Sequence, residues 1–111
     1  MKITTRKTNG VTVLDITGKI TIGEGDIALR SAVNEALNGG AKNILLNLAK
    51  VTTIDSSGIG EMVSTYTTIS NRSGRLKLLN VPEKVVDLLT ITQLISVFEI
   101  YDDEAEALAS F

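Results

Sequence analysis

Asn9-Gly10 separates two runs rich in β-branched residues, Ile3 to Thr8 and Val11 to Thr17. Asn-Gly supplies the positive φ angles of a type I′ turn, so the two runs form a β-hairpin. In the second run Leu14 and Ile16 alternate with Asp15. The face carrying Leu14 and Ile16 is therefore expected to be the inner one. Gly18 is expected to break the strand.

Beyond Gly18 a loop with Gly23 and Gly25 leads to Asp26, which reads as the N-cap of a helix over about Ile27 to Leu37. Its apolar stripe is Ile27, Leu29, Ala32, Val33, Ala36 and Leu37, and Asn38-Gly39-Gly40 stops it. Ile44 to Leu48 is an almost continuous apolar run, the pattern of a strand covered on both faces. Asp55-Ser56-Ser57-Gly58 then opens a second helix with Ile59, Met62, Val63, Tyr66 and Ile69 at helical spacing, ending between Asn71 and Gly74. Leu76 to Asn80 alternates as a strand, and Pro82 suits the first turn of a third helix with Val85, Val86, Leu88 and Leu89 inward. Val97 to Ile100 reads as a last strand, and Asp102 or Asp103 caps a terminal helix. The order β-β-α-β-α-β-α-β-α implies an α/β fold: a mixed sheet with an N-terminal antiparallel hairpin, parallel inner strands and about four helices.

A chain of 111 residues fits one domain, 1–111, and its 43% hydrophobic and 22% charged residues are ordinary for a globular protein. The absences narrow the chemistry. There is no Cys, which removes disulfides, iron–sulfur clusters and thiol catalysis, and no His, which removes the usual general base and the commonest metal ligand. Four aromatic residues and a net charge of −2 argue against direct nucleic-acid binding. No apolar run approaches the roughly 20 residues that cross a bilayer, and Met1 to Arg6 has no apolar signal region. These features point to a cytoplasmic single domain poor in catalytic chemistry, for which no catalytic residue, metal or cofactor is expected.

Several local patterns have ordinary structural readings. Gly23-Glu24-Gly25-Asp26-Ile27-Ala28 matches G-x-G-x-x-[GA], but no carboxylate lies between Ala41 and Asn47 to meet a ribose, and Glu24 and Asp26 would repel a pyrophosphate. Asn71-Arg72-Ser73 is a formal glycosylation sequon without a secretion signal. Asp102, Asp103, Glu104 and Glu106 sit where negative charge complements a helix dipole. Asp55-Ser56-Ser57-Gly58 differs because it lies at the carboxyl end of a buried strand, the edge where open α/β sheets meet ligands and partners. Without His its serines lack an activating base. A phosphate acceptor needs only an exposed hydroxyl, and a phosphoryl group there could be accommodated by free amides at the helix start.

Asn47-Leu48, the stretch Val51 to Ile54 and then Asp55-Ser56-Ser57-Gly58-Ile59-Gly60 resemble the signature of STAS domains, specifically bacterial anti-sigma factor antagonists. The likeness in element order extends over nearly the whole chain. It implies a non-enzymatic switch that binds an anti-sigma factor, often a serine kinase, and so releases a sigma factor for transcription. The kinase would phosphorylate the first serine, Ser56, with Ser57 the second choice, and a serine phosphatase would restore binding. ATP and magnesium would belong to the partner. The contact surface implied is Thr21, Gly23, Glu24 and Asp26 together with Asp55, Ser56, Ser57, Gly58, Ile59 and Gly60. In it Asp55 fixes the turn, Gly58 and Ile59 touch the partner closely, and Gly60 adds access. The chain would act as a monomer or weak dimer.

Many relatives follow the second strand with G-x-[LI]-D, whereas this chain has Gly18-Lys19-Ile20-Thr21 and a Gly-rich loop after it. That departure falls on the expected contact surface and bears on partner choice. The same fold serves stressosome-type scaffolds, lipid-transport accessory subunits and transporter tails. The paired hydroxyls argue against a lipid-transport subunit and the missing membrane segment against a transporter tail. A receiver-like phosphotransfer protein would need an acidic pair after its first strand and a Lys near Val97 to Ile100, and neither is present.

Overall fold

Strands β1 (Lys2–Thr8) and β2 (Val11–Ile20) pair antiparallel around Asn9 and Gly10, whose φ angles of 52° and 77° are those the turn requires. The computed structural model describes all 111 residues. After the hairpin come α1 (Gly25–Asn38), β3 (Asn43–Ile54), α2 (Ser56–Asn71), β4 (Arg75–Leu79), α3 (Glu83–Ile91), a 3-10 turn (Ile95–Val97), β5 (Ile100–Tyr101) and α4 (Glu104–Ala109). The five strands lie in sheet order β1-β2-β3-β4-β5, and every pair after the first is parallel.

The two faces of the sheet are covered unequally. Leu14, Ile16 and Ile20 of β2, Ile44, Leu46, Leu48 and Val51 of β3, and Leu76 and Leu78 of β4 face one layer of helices. That layer answers with Leu29, Val33 and Leu37 from α1, Ile59, Met62 and Ile69 from α2, and Val85 and Leu89 from α3. On the other face only α4 lies down, burying Val11, Val13, Leu45 and Leu79 beneath Ala107, Leu108 and Phe111. Lys77, 3% exposed, ends on this face. Its Nζ donates to the Ser110 carbonyl at 2.7 Å and hydroxyl at 2.9 Å and sits 4.8 Å above the Phe111 ring. An ammonium is tolerated there because its donors are satisfied and a ring face meets its charge. Nearby, Arg6 binds Asp15 through Nε at 2.6 Å and also binds Glu104, so a salt link ties α4 to the hairpin. The Arg6 hydrogen bond is the main reason the Asp15 carboxyl is held below its ordinary range.

The architecture agrees with the α/β arrangement expected, with local differences that have physical causes. Gly18 does not end β2. With φ 109° it sits where the register against β3 shifts by an extra residue that β3 carries, and the strand runs on to Ile20. Beside it β3 extends to Ile54, past the apolar run that announced it, because the longer β2 gives it a partner as far as the pair Ile20 and Ile54. Val11 and Val13 are buried as fully as Leu14 and Ile16, since α4 closes the second face. Asp26 is not the cap of α1. The helix starts at Gly25, with Glu24 in the cap position making no side-chain bond there. Ile27, placed in the buried stripe by periodicity, is 50% exposed. The last strand is only Ile100–Tyr101, because Phe98 turns inward to pack edge-on against Tyr66 with ring centroids 5.7 Å apart. Pro82 sits just before α3 rather than in its first turn. Of the two candidate caps of α4 it is Asp103 that accepts the Glu106 amide, at 2.9 Å.

Candidate functional site

The parallel strands β2 and β3 end together at Ile20 and Ile54, and the two segments that leave them meet at one carboxylate. Asp55 has an extended backbone, and its amide donates to the Ile20 carbonyl at 3.4 Å. Its side chain accepts the Gly58 amide on Oδ1 at 2.9 Å, capping α2, and the Ile22 amide on Oδ2 at 3.0 Å. One residue thus joins the start of α2 to the β2–α1 loop. These amides, Gly58 foremost, lower the Asp55 pKa. A carboxylate with both oxygens engaged and a depressed pKa is a weak base, so it does not activate the neighbouring serines.

Two glycines set how closely the helices approach. A Cβ on Gly58 would lie 2.1 Å from the Ile20 carbonyl oxygen, and one on Gly25 would lie 2.2 Å from the Lys19 oxygen. Both helix starts therefore press directly on the end of β2. The Asp26 amide donates to the Thr21 carbonyl at 3.1 Å, closing the loop, and the Asp26 carboxylate accepts only the adjacent Ile27 amide at 2.7 Å.

The expected contact residues divide in consequence. Thr21, Gly23, Glu24, Asp26, Asp55, Ser56, Ser57 and Gly60 come together on one rim, with Ser56 and Gly60 exposed and Ser57 half-buried. Gly58 and Ile59 do not line its outer surface. Gly58 is buried against Ile20, and Ile59 is 4% exposed inside the core. The close approach that Gly58 permits is inward, onto the chain's own backbone, and Gly60, with open space around it, is the glycine that leaves room outside. Of the amides at the helix start that were expected to accommodate a phosphoryl group, that of Gly58 is already taken by Asp55.

Two residues on this rim escaped the sequence reading. Ile22 is 73% exposed in the loop and Ile27, in the first turn of α1, is half exposed. Ile27 shares the helical period with the core and so was indistinguishable from it. Its neighbour Gly25, whose lack of a side chain sets the entry angle of α1, was the available signal. Behind the rim, Glu61 of α2 is buried and accepts Arg30 of α1 on Oε1, from Nε at 3.0 Å and Nη2 at 2.6 Å. No group of three or more His, Cys, Asp or Glu side chains is arranged so that it could hold a metal ion.

Comparison with known proteins places this geometry. The family model for the STAS domain matches residues 2–107. A candidate anti-sigma factor antagonist of Thermotoga neapolitana is 39% identical over 75 residues, 68% of this chain and 66% of that protein, so the match spans just under two thirds of the relative. The anti-sigma F factor antagonist of Paenibacillus polymyxa is 29% identical over 100 residues, covering 89% of this chain and 85% of that protein. The crystal structure of a candidate anti-sigma factor antagonist from Thermotoga maritima superposes with a TM-score of 0.88 at 29% identity, covering 97% of this chain and 92% of that one. The chain belongs to the STAS domain family, among homologues named anti-sigma factor antagonists.

Proposed function

We propose that this STAS chain is an anti-sigma factor antagonist that works as a phosphorylation-switched binding protein, with Ser56 as the acceptor. In this reading it sequesters an anti-sigma factor with serine kinase activity and so frees a sigma factor, and a serine phosphatase resets it. The observation that carries the reading is the Asp55 clamp. It fixes the β2–α1 loop and the start of α2 as one surface, with Ser56 exposed on it and Ile22 and Ile27 standing out beside it. Such a surface is preorganised, so a partner loses little loop entropy in binding it.

The switch follows from charge. A phosphoryl group on Ser56 adds about −1.5 to −2 charge at pH 7. Asp55 already holds the Gly58 amide and repels a second anion, so the group stays on the contact surface rather than sinking into the helix start. Desolvating it at an interface, at a cost of about 4 kcal/mol, would weaken binding roughly 1000-fold. The chain would act as a single cytoplasmic domain, monomeric or weakly dimeric, with no catalytic role. ATP and magnesium would be the kinase's. Thr21 and the Gly23 to Asp26 loop, which depart from the common pattern, would tune partner choice.

The test is a pull-down from native lysate with wild type, Ser56→Ala and Ser56→Asp as baits. Capture of one small ATP-binding kinase by the first two but not the third is expected. Equal capture by all three would remove Ser56 from the switch and make the chain a constitutive scaffold.

A further inference from the structure

The two hydroxyls of the motif face different surroundings. At about 100° per residue, Ser57 lies one turn before Glu61 on the same flank of α2, the flank that meets α1, whereas Ser56 points away from it. Ser57 is half-buried and Ser56 exposed, in keeping with those directions. Residues four apart on a helix have Cβ atoms about 5–6 Å apart. Helical side chains also lean toward the N-terminus, so the Glu61 carboxylate, and the Arg30 guanidinium it holds, lie over the turn that carries Ser57. Glu61 takes the Nε and Nη2 of Arg30 on a single oxygen, leaving Nη1 without a partner. The Arg30 side chain is 58% exposed, so that free edge is open to a ligand.

We propose that Arg30 is a built-in counter-charge that tells the two serines apart: a phosphoryl group on Ser57 is captured by Arg30 within the chain, while one on Ser56, on the other flank of α2, lies out of reach of Arg30. Arg30, anchored by Glu61, is thus a specificity-determining residue of the switch. Charge placed on Ser57 is neutralised in place, and only charge on Ser56 is presented to the partner. This rests on the reading that the motif is phosphorylated. The transfer itself, from the γ-position of ATP to the serine oxygen with loss of the hydroxyl proton and release of ADP, is the work of the partner kinase. The remaining charged groups around this turn are Asp55 at its cap, Glu24 and Asp26 from the loop and the first turn of α1, and Lys84 beyond Ile54 at the start of α3.

The test uses the full chain with phosphoserine installed during translation at position 56 or at position 57, each titrated by phosphorus NMR. With Arg30 in place, the second phosphate pKa at position 57 should lie below that at position 56 by roughly half a pH unit, about threefold in proton affinity. Arg30→Gln should abolish the difference and Arg30→Lys should keep part of it. Should Arg30→Gln fail to fold, Arg30→Lys decides: it keeps the charge without the guanidinium fork and should narrow the gap. Equal pKa values at the two positions, a gap that survives Arg30→Gln, or one indifferent to Arg30→Lys overturns the proposal. No kinase or anti-sigma factor enters this measurement, so its failure is separate from failure of the pull-down.

Discussion

Helices α1 and α2 begin side by side on the end of β2, and they begin differently. Each sets a buried glycine on backbone, Gly25 on Lys19 and Gly58 on Ile20. At α2 the cap carboxylate accepts amides from its own helix and from another segment, while at α1 the cap residue Glu24 accepts no amide, its carboxylate lying 3.9 Å from the Met1 ammonium, and Asp26 bonds only its neighbour's amide. The same close packing is thus accompanied by a side-chain cap that spans two segments in one case and by no side-chain cap in the other. That difference explains where the motif's acidic residue acts: Asp55 holds the neighbouring loop as well as its own helix.

Substituting the buried glycines should have the largest effect. Gly58→Ala and Gly25→Ala both push a methyl group into a carbonyl, and each should cost about 3 kcal/mol, a fall in Tm of more than about 10 °C. If one is tolerated and the other is not, the two helix starts are not pressed on β2 alike. Truncating the acidic residues separates them next. Asp55→Ala should speed hydrogen exchange at the Ile22 and Gly58 amides together, by roughly tenfold, whereas Asp26→Ala should leave both unchanged. Faster exchange at Gly58 only would mean that the loop holds itself without Asp55.

Acid titration sharpens the same contrast. Asp55, Asp15 and Glu104 have folded pKa values below their ordinary ones, owing to amide donors in the first case and to Arg6 in the others. A depressed folded pKa stabilises the chain above the unfolded value, about 4, and that contribution disappears as pH falls through the folded value. Stability should therefore decline below about pH 4 and stay nearly flat between about pH 5.5 and 8, because the chain has no His. In Asp55→Ala the acid decline should be shallower. The smallest effect is at Gly60, whose missing side chain faces open space. Gly60→Ala should stabilise the chain by about 0.5–1 kcal/mol, read as a small rise in Tm.

Much of this was legible in local chemistry. Asn9-Gly10 admits few conformations besides a tight turn, and Asp55 as a helix cap follows from an acceptor side chain ahead of free amides. Ile44 to Leu48 is apolar on both faces because it is covered on both faces. What failed did so at element ends and at positions whose surroundings come from elsewhere. Gly18 carries the same signal whether a strand stops or runs on, and β3 decides between them by supplying a partner up to Ile20. Ile27 obeys the helical period of the core, yet nothing packs over it.

By itself the sequence determined the order of elements, the hairpin, the motif at the end of a buried strand and the absence of thiol and imidazole chemistry, since each depends on residue type and near neighbours. Only the tertiary structure decided that Arg30 pairs with Glu61, that Gly58 packs on the backbone of β2, and that Asp55 clamps a loop 33 residues away in the chain. Those outcomes depend on the parallel pairing of β2 and β3, which carries distant segments to one edge of the sheet, and no local pattern encodes how closely they then meet.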